Sequence, residues 1–167
     1  EAYGEFSAHN SAISLVEDRT DVVLLRTFSK VYGLAGCRLG YAVVPSEWAA
    51  AYAKVNTPFA ASEIACRAGL AALDDQRHVT ESVEVVEWAR DHIQTELKAR
   101  TWESHANFVL ADVGDAARVA SAAEERGVIV RDCSSFGLPS CIRISCGSRA
   151  ETKRAVTVLN ECVCESR

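Results

Sequence analysis

The chain has 167 residues, 49% of them hydrophobic and 25% charged, with a formal net charge of −5. That supplies apolar material for a core of ordinary size, and the acidic balance argues against nucleic acid or an anionic membrane surface as a partner. Its apolar runs are too short to cross a membrane, and no signal peptide is expected. The 7 cysteines are odd in number and irregularly placed, which fits reduced thiols in a cytoplasm better than a disulfide framework. Those at 133, 141, 146, 162 and 164 lack the paired CxxC spacing of a zinc site, so no metal is expected. The chain starts at Glu1 and has no methionine, and it is expected to be a piece of a longer polypeptide.

In chain order, residues 1–6 read as a strand exit. Residues 7–20 are polar, with Asn10, Ser11 and Asp18 marking a helical or loop connection. The apolar run 22–25 predicts a buried parallel strand, ending in Thr27, Ser29 and Lys30. The carboxyl end of such a strand is where ligands bind in open α/β sheets. Arg38 follows a Gly-containing loop and opens a second apolar run, 39–44. Ser46 is a plausible N-cap for a helix over 47–55, which must break before Pro58; this break is the expected hinge between lobes.

Beyond it, 62–73 reads as an Ala-rich helix stopped at Asp74 and Asp75. Val79, Val83, Val86, Ile93 and Leu97 then form one face of a long amphipathic helix that closes near Arg100. A strand over 107–113, a helix over 115–126 ended by Gly127, and a short strand at 128–130 follow. After a loop with Gly137 and Pro139 come a strand at 141–146 and a helix at 151–164. The fold class is α/β, closing in a compact α+β lobe.

Only four of the 18 basic residues are lysines. Lys54, Lys98 and Lys153 fall in helical patterns, where a solvated face explains them. Lys30 alone sits at a strand end, between a serine and an aromatic-Gly loop. A lysine and Arg38 on adjacent strand ends, with the hydroxyls of Thr27 and Ser29 between them, suit a ligand with an electrophilic carbonyl at one end and a phosphate at the other. Pyridoxal phosphate answers that description. Glycines 33, 36 and 40 match neither a Walker loop nor a Rossmann fingerprint. Arg143 alternates with Ile142 and Ile144 and so faces away from them, free to grip a carboxylate with its planar fork; Arg131 competes for that role. Each feature also has a plain reading: a solvated loop lysine, a surface ion pair, an exposed sheet face. His9, His78, His92 and His105 are scattered and read as ordinary surface or helix histidines.

The segment 27–41 resembles the Schiff-base motif of the fold-type I pyridoxal-phosphate aminotransferases, in particular their histidinol-phosphate aminotransferase branch. That motif runs Thr/Ser-x-Ser-Lys, a Gly-bearing loop, then Arg-x-Gly. Glu1-Ala2-Tyr3 resembles the family's Asp-Glu-Ala-Tyr, and Cys141-Ile142-Arg143-Ile144-Ser145 resembles its carboxylate-binding strand. The three motifs follow the family's order at about its spacing, so the likeness covers essentially the whole chain.

The resemblance implies that Lys30 is the catalytic lysine, that Tyr3 bonds the cofactor's phenolic oxygen, and that Thr27, Ser29 and Arg38 hold its phosphate. It further implies that Arg143 binds the substrate carboxylate, with Asn107 in a supporting place. On this resemblance residues 1–58 are the C-terminal part of the cofactor-binding large domain, and 59–167 are linking helices and the small domain. The family's ring-nitrogen aspartate, upstream phosphate turn and cross-subunit tyrosine would all precede Glu1, so the chain alone is expected to be inactive. The implied whole is a cytoplasmic homodimer of histidine biosynthesis that takes a small-molecule amino donor and acceptor. Two alternatives stand beside it. One is a threonine-phosphate decarboxylase-like enzyme, to which the loop 132–139 gives some support; the other is a non-catalytic fragment that only folds or associates.

Overall fold

The computed structural model describes residues 1–7 and 11–165. His9 and Asn10, expected in the polar connection, lie outside the described residues. The chain divides into two compact units, Glu1–Val83 and Glu84–Arg167. The break expected near residue 58 lies within the first of these units, and the division between them falls inside a helix. The helix after the expected hinge packs on the lysine loop and belongs with it: a Cβ on Gly69 would meet Leu39 Cδ2 at 2.5 Å and the Phe28 ring at 3.7 Å.

In the first unit, a 3-10 turn at Gly4–Phe6 buries Phe6, and the short helix α1, Ile13–Asp18, buries Val16. The first strand, β1, spans Leu24–Thr27 and pairs antiparallel with β2, Gly40–Val43. The expectation of a buried parallel strand at 22–25 is therefore corrected in both bounds and direction. Residues 28–39 fold back as a wide hairpin loop, closed by the Phe28 N–H donating to the Leu39 carbonyl at 3.0 Å. Hairpin neighbours are antiparallel. Nor is the strand buried on both faces: Leu24 is 4% exposed and Leu25 60%.

Helix α2, Ser46–Val55, follows, and Ser46 is its first helical residue rather than its cap; the N-cap is Pro45, without a side-chain bond. Pro45 fixes the extended entry, and Glu47 sits in the first turn, where a carboxylate suits the helix dipole. Helix α3, Glu63–Asp74, starts where the Ser62 hydroxyl accepts from the Ala65 N–H at 3.1 Å. Helix α4, Gln76–Glu96, is capped by Asp75, whose carboxylate accepts from the His78 N–H at 3.0 Å.

The second unit is the expected α+β lobe. Its antiparallel sheet has the order β3-β4-β6-β5, from Arg100–Thr101, Phe108–Asp112, Cys141–Ser145 and Arg131–Asp132. Helices α5, Ala116–Glu125, and α6, Arg149–Cys164, supply the rest of one core. Alternation in the sheet is clean: Val109, Ala111, Ile142 and Ile144 are buried against Val119, Ala123, Val156 and Leu159. The short strand expected at 128–130 forms instead at Arg131–Asp132. Gly127, at φ +75°, ends α5 by donating to Glu124, and Val128 donates to Ala123. That left-handed cap consumes the Val128 backbone, and the side chain of Val128 is buried as part of the helix end.

Candidate active site

Two hydroxyl-to-backbone contacts and a turn shape the loop after β1. Thr27 Oγ1 accepts from the Ser29 N–H at 3.0 Å and donates to the Leu39 carbonyl at 3.5 Å. Gly33, at φ +67°, closes a turn on the Lys30 carbonyl at 2.9 Å, and Leu34 donates to the Phe28 carbonyl at 3.0 Å. Val31 and Phe28 are buried, and the Tyr32 ring packs at a tilt of 38° on Phe28, with centroids 5.0 Å apart. Burial pushes the Tyr32 phenol up. Lys30 thus leaves a firmly held backbone.

Its ammonium lies 5.2 Å from the centre of the Tyr3 ring. The Lys30 amine makes no hydrogen bond or ion pair with any described residue, although the residue is half-buried. Tyr3 is brought there by a charge clamp 25 residues long in sequence: Arg26 Nη2 donates to Glu1 Oε2 at 2.7 Å, and Glu5 lies 3.9 Å from the same guanidinium. The Ala12 N–H, foremost, and Arg26 hold the Glu1 carboxyl below its usual range.

Arg38 follows the 3-10 turn Ala35–Cys37 in a left-handed conformation, φ +52°, and donates to the Ala35 carbonyl at 2.9 Å. A non-glycine residue in that region is strained by about 1–3 kcal/mol, and such strain clusters at ligand sites. Two residues on, Gly40 is paired with Thr27. A Cβ at Gly40 would stand 2.8 Å from the Arg26 carbonyl oxygen, which explains a glycine two positions after the arginine. The antiparallel pairing is what sets the end of β1 beside the start of β2. Tyr3, Thr27, Ser29, Lys30 and Arg38 therefore share one unit, but the Thr27 hydroxyl is already engaged in holding the loop.

Arg143 and Asn107 belong to the second unit. Arg143 lies on the face of β6 opposite Ile142 and Ile144, over the Phe108 ring at 5.1 Å. Its Nε is buried without a hydrogen-bond partner among the described residues, a costly state for a guanidinium. Arg131, the competing candidate, is its direct cross-strand neighbour. Two like charges side by side on a ladder repel unless an anion joins them. The Asn107 carbonyl accepts from the Cys146 N–H at 2.9 Å, so its backbone fixes the end of that ladder. Burial pushes the neighbouring Cys146 thiol from 9.0 up to about 11.

Sequence reasoning missed the Arg26 clamp and the contact of His78 with the lysine turn. A charged residue inside the apolar run of β1 was a signal for the first; nothing in the local pattern of α4 signalled the second.

The profile of the family described as aminotransferase class I and II matches residues 1–159. The chain belongs to the class I and II aminotransferases. Within the family it is 66% identical, over 98% of its length, to the histidinol-phosphate aminotransferase of Haloarcula marismortui, and 68% identical, over 96%, to that of Natronomonas pharaonis. It covers 45% of each of those proteins, so the chain spans about half the length of these relatives. Among solved structures, it resembles the histidinol-phosphate aminotransferase from Sinorhizobium meliloti in complex with pyridoxal-5'-phosphate, with a TM-score of 0.87 at 32% identity. All of this chain and 48% of that one are covered. The L-threonine-O-3-phosphate decarboxylase from Porphyromonas gingivalis shares the fold, with a TM-score of 0.79 at 23% identity over 96% of this chain and 53% of that one. The described sheet of the first unit consists of the two strands β1 and β2.

Proposed function

We propose that the full-length protein carrying this chain is a pyridoxal-phosphate-dependent aminotransferase that moves an amino group between glutamate and an amino-alcohol phosphate of the histidinol-phosphate kind. The observation that carries this reading is Lys30: a half-buried residue whose amine has no ionic partner among the described residues, on a locked turn beside Tyr3. The identity of 59–68% to haloarchaeal histidinol-phosphate aminotransferases supports the substrate class.

The residues present fit the cofactor. An amine without an ionic partner suits a carbonyl electrophile, and the strained Arg38 at the start of β2 suits a phosphate with its fixed donor fork. When bound, pyridoxal phosphate supplies an electron sink for charge that develops at the substrate's α-carbon. Lys30 Nζ, once free, takes the proton from that carbon and returns it, acting as general base and then acid. Tyr3 borders the space in which this amine moves. Arg143 binds the acidic group of the substrate, and its orphaned Nε is the donor that such a ligand would satisfy. The protein is read as a cytoplasmic homodimer. No helix among the described residues is long and apolar enough to cross a membrane.

Glutamate alone, added to the loaded full-length protein, should convert the cofactor to its amine form and yield one equivalent of keto acid. Carbon dioxide release from threonine phosphate, without any half-reaction with glutamate, would overturn this reading in favour of the decarboxylase.

A further inference from the structure

The mechanism above leaves one side chain beside the lysine turn unused. His78, in the first turn of α4, reaches across 47 residues of sequence to place Nε2 3.1 Å from the Val31 carbonyl oxygen. Val31 immediately follows Lys30 and occupies the corner of the turn closed by Gly33. A corner carbonyl of this kind points outward and is not used by the turn itself.

Because a carbonyl oxygen only accepts, Nε2 must carry the proton, and it does so in both the neutral and the charged ring. Ser82 Oγ, 3.4 Å from the same nitrogen, is then a second acceptor. The ring is aimed by the Asp75 cap, which holds the His78 backbone at 3.0 Å, and it lies against the turn, since a Cβ on Gly33 would be in ordinary contact 4.0 Å from Nε2.

We propose that His78 is a positioning residue for Lys30, fixing the turn from outside so that the lysine stem leaves it in one direction. The proposal rests on the reading of Lys30 as the cofactor-binding amine. The backbone around Lys30 is held upstream by Thr27 and internally by the Gly33 and Leu34 N–H groups. Downstream, His78 gives the turn a side-chain hydrogen bond from the first turn of α4. A lysine with four methylenes loses reach and direction if its Cα drifts. A side chain that holds the backbone still therefore acts on capture of the cofactor rather than on affinity for the amino donor.

The test uses the full-length holoenzyme with His78→Ala and His78→Gln, the amide of Gln placing an N–H donor where Nε2 lies. In His78→Ala, the Gly33 and Leu34 amides should exchange with solvent roughly five-fold faster, the worth of one ordinary hydrogen bond. Less pyridoxyl group should be trapped on Lys30 by borohydride at limiting cofactor, with the KM for glutamate little changed, and His78→Gln should restore both. Unchanged exchange in His78→Ala, or a Gln variant no better than Ala, would overturn the proposal. So would faster exchange spread equally through α6, which would mark a general loss of stability. A parent protein that traps nothing on Lys30 would instead remove the cofactor reading, while the exchange comparison would still report on the turn.

Discussion

Arg143 and Cys146 are three residues apart and carry opposite lessons about burial. Arg143 leaves its buried Nε without a partner among the described residues, a cost that a bound carboxylate or phosphate would reverse. In the full-length enzyme, Arg143→Ala should raise the KM for glutamate by roughly 10- to 100-fold, the range expected for a lost charge-assisted pair. Arg143→Lys should recover only part of it, because an ammonium lacks the planar fork; equal KM values in parent and Ala variant would remove Arg143 from the site. Cys146 responds to burial by holding its proton, from 9.0 up to about 11. Between those values the unfolded chain has released the proton and the folded one has kept it, so stability falls as pH rises through that window. Urea midpoints measured at about pH 8 and about pH 10 should show this fall, and Cys146→Ala should make it shallower. The motif arginine and lysine were legible in the sequence because their neighbours are small, apolar or hydroxylic in a recognisable order. His78 was not, since a histidine on an exposed helix turn looks alike whether it meets water or a carbonyl 47 residues away.

Elements with strong local signals formed where the sequence placed them, and those decided by partners did not. Ser62 and Gly127 mark helix ends through their own chemistry, and both ends fall within a residue of expectation. The direction of β1 depends on how residues 28–39 fold back, which an apolar run cannot express. The valines at 128–130 resembled a strand, but the helix cap claimed Val128 first. Two substitutions test the element scale. Gly40→Ala would force a Cβ to within 2.8 Å of a backbone oxygen that has no free rotor to move. It should cost about 1–3 kcal/mol and loosen the β1–β2 pair, seen as faster exchange of the Phe28 amide. Ser148→Ala removes a hydroxyl that accepts from the Glu151 N–H in a capping box. It should cost about 1 kcal/mol, read as a lower urea midpoint, without altering the lysine loop.

At the scale of the whole chain, the two units differ in how well each covers its apolar surface. The second closes a core of Ile93, Val109, Ile142, Ile144, Leu159 and their neighbours. The first leaves Leu25, Val55, Phe59, Ile64 and Leu70 between 60% and 98% exposed, and its described sheet has two strands. Apolar surface on that scale drives association, as do unpaired strand edges. Expressed alone, the 167-residue chain should therefore elute well above its 18.1 kDa monomer mass and show no transaminase turnover; a monomer with normal turnover would contradict this. The most direct test of the central claim is covalent. Borohydride reduction of the loaded full-length protein, followed by peptide mapping, should place the pyridoxyl group on Lys30, and Lys30→Ala should abolish the adduct. An adduct formed at the same level in Lys30→Ala, or mapped to another lysine, would contradict the assignment of this site.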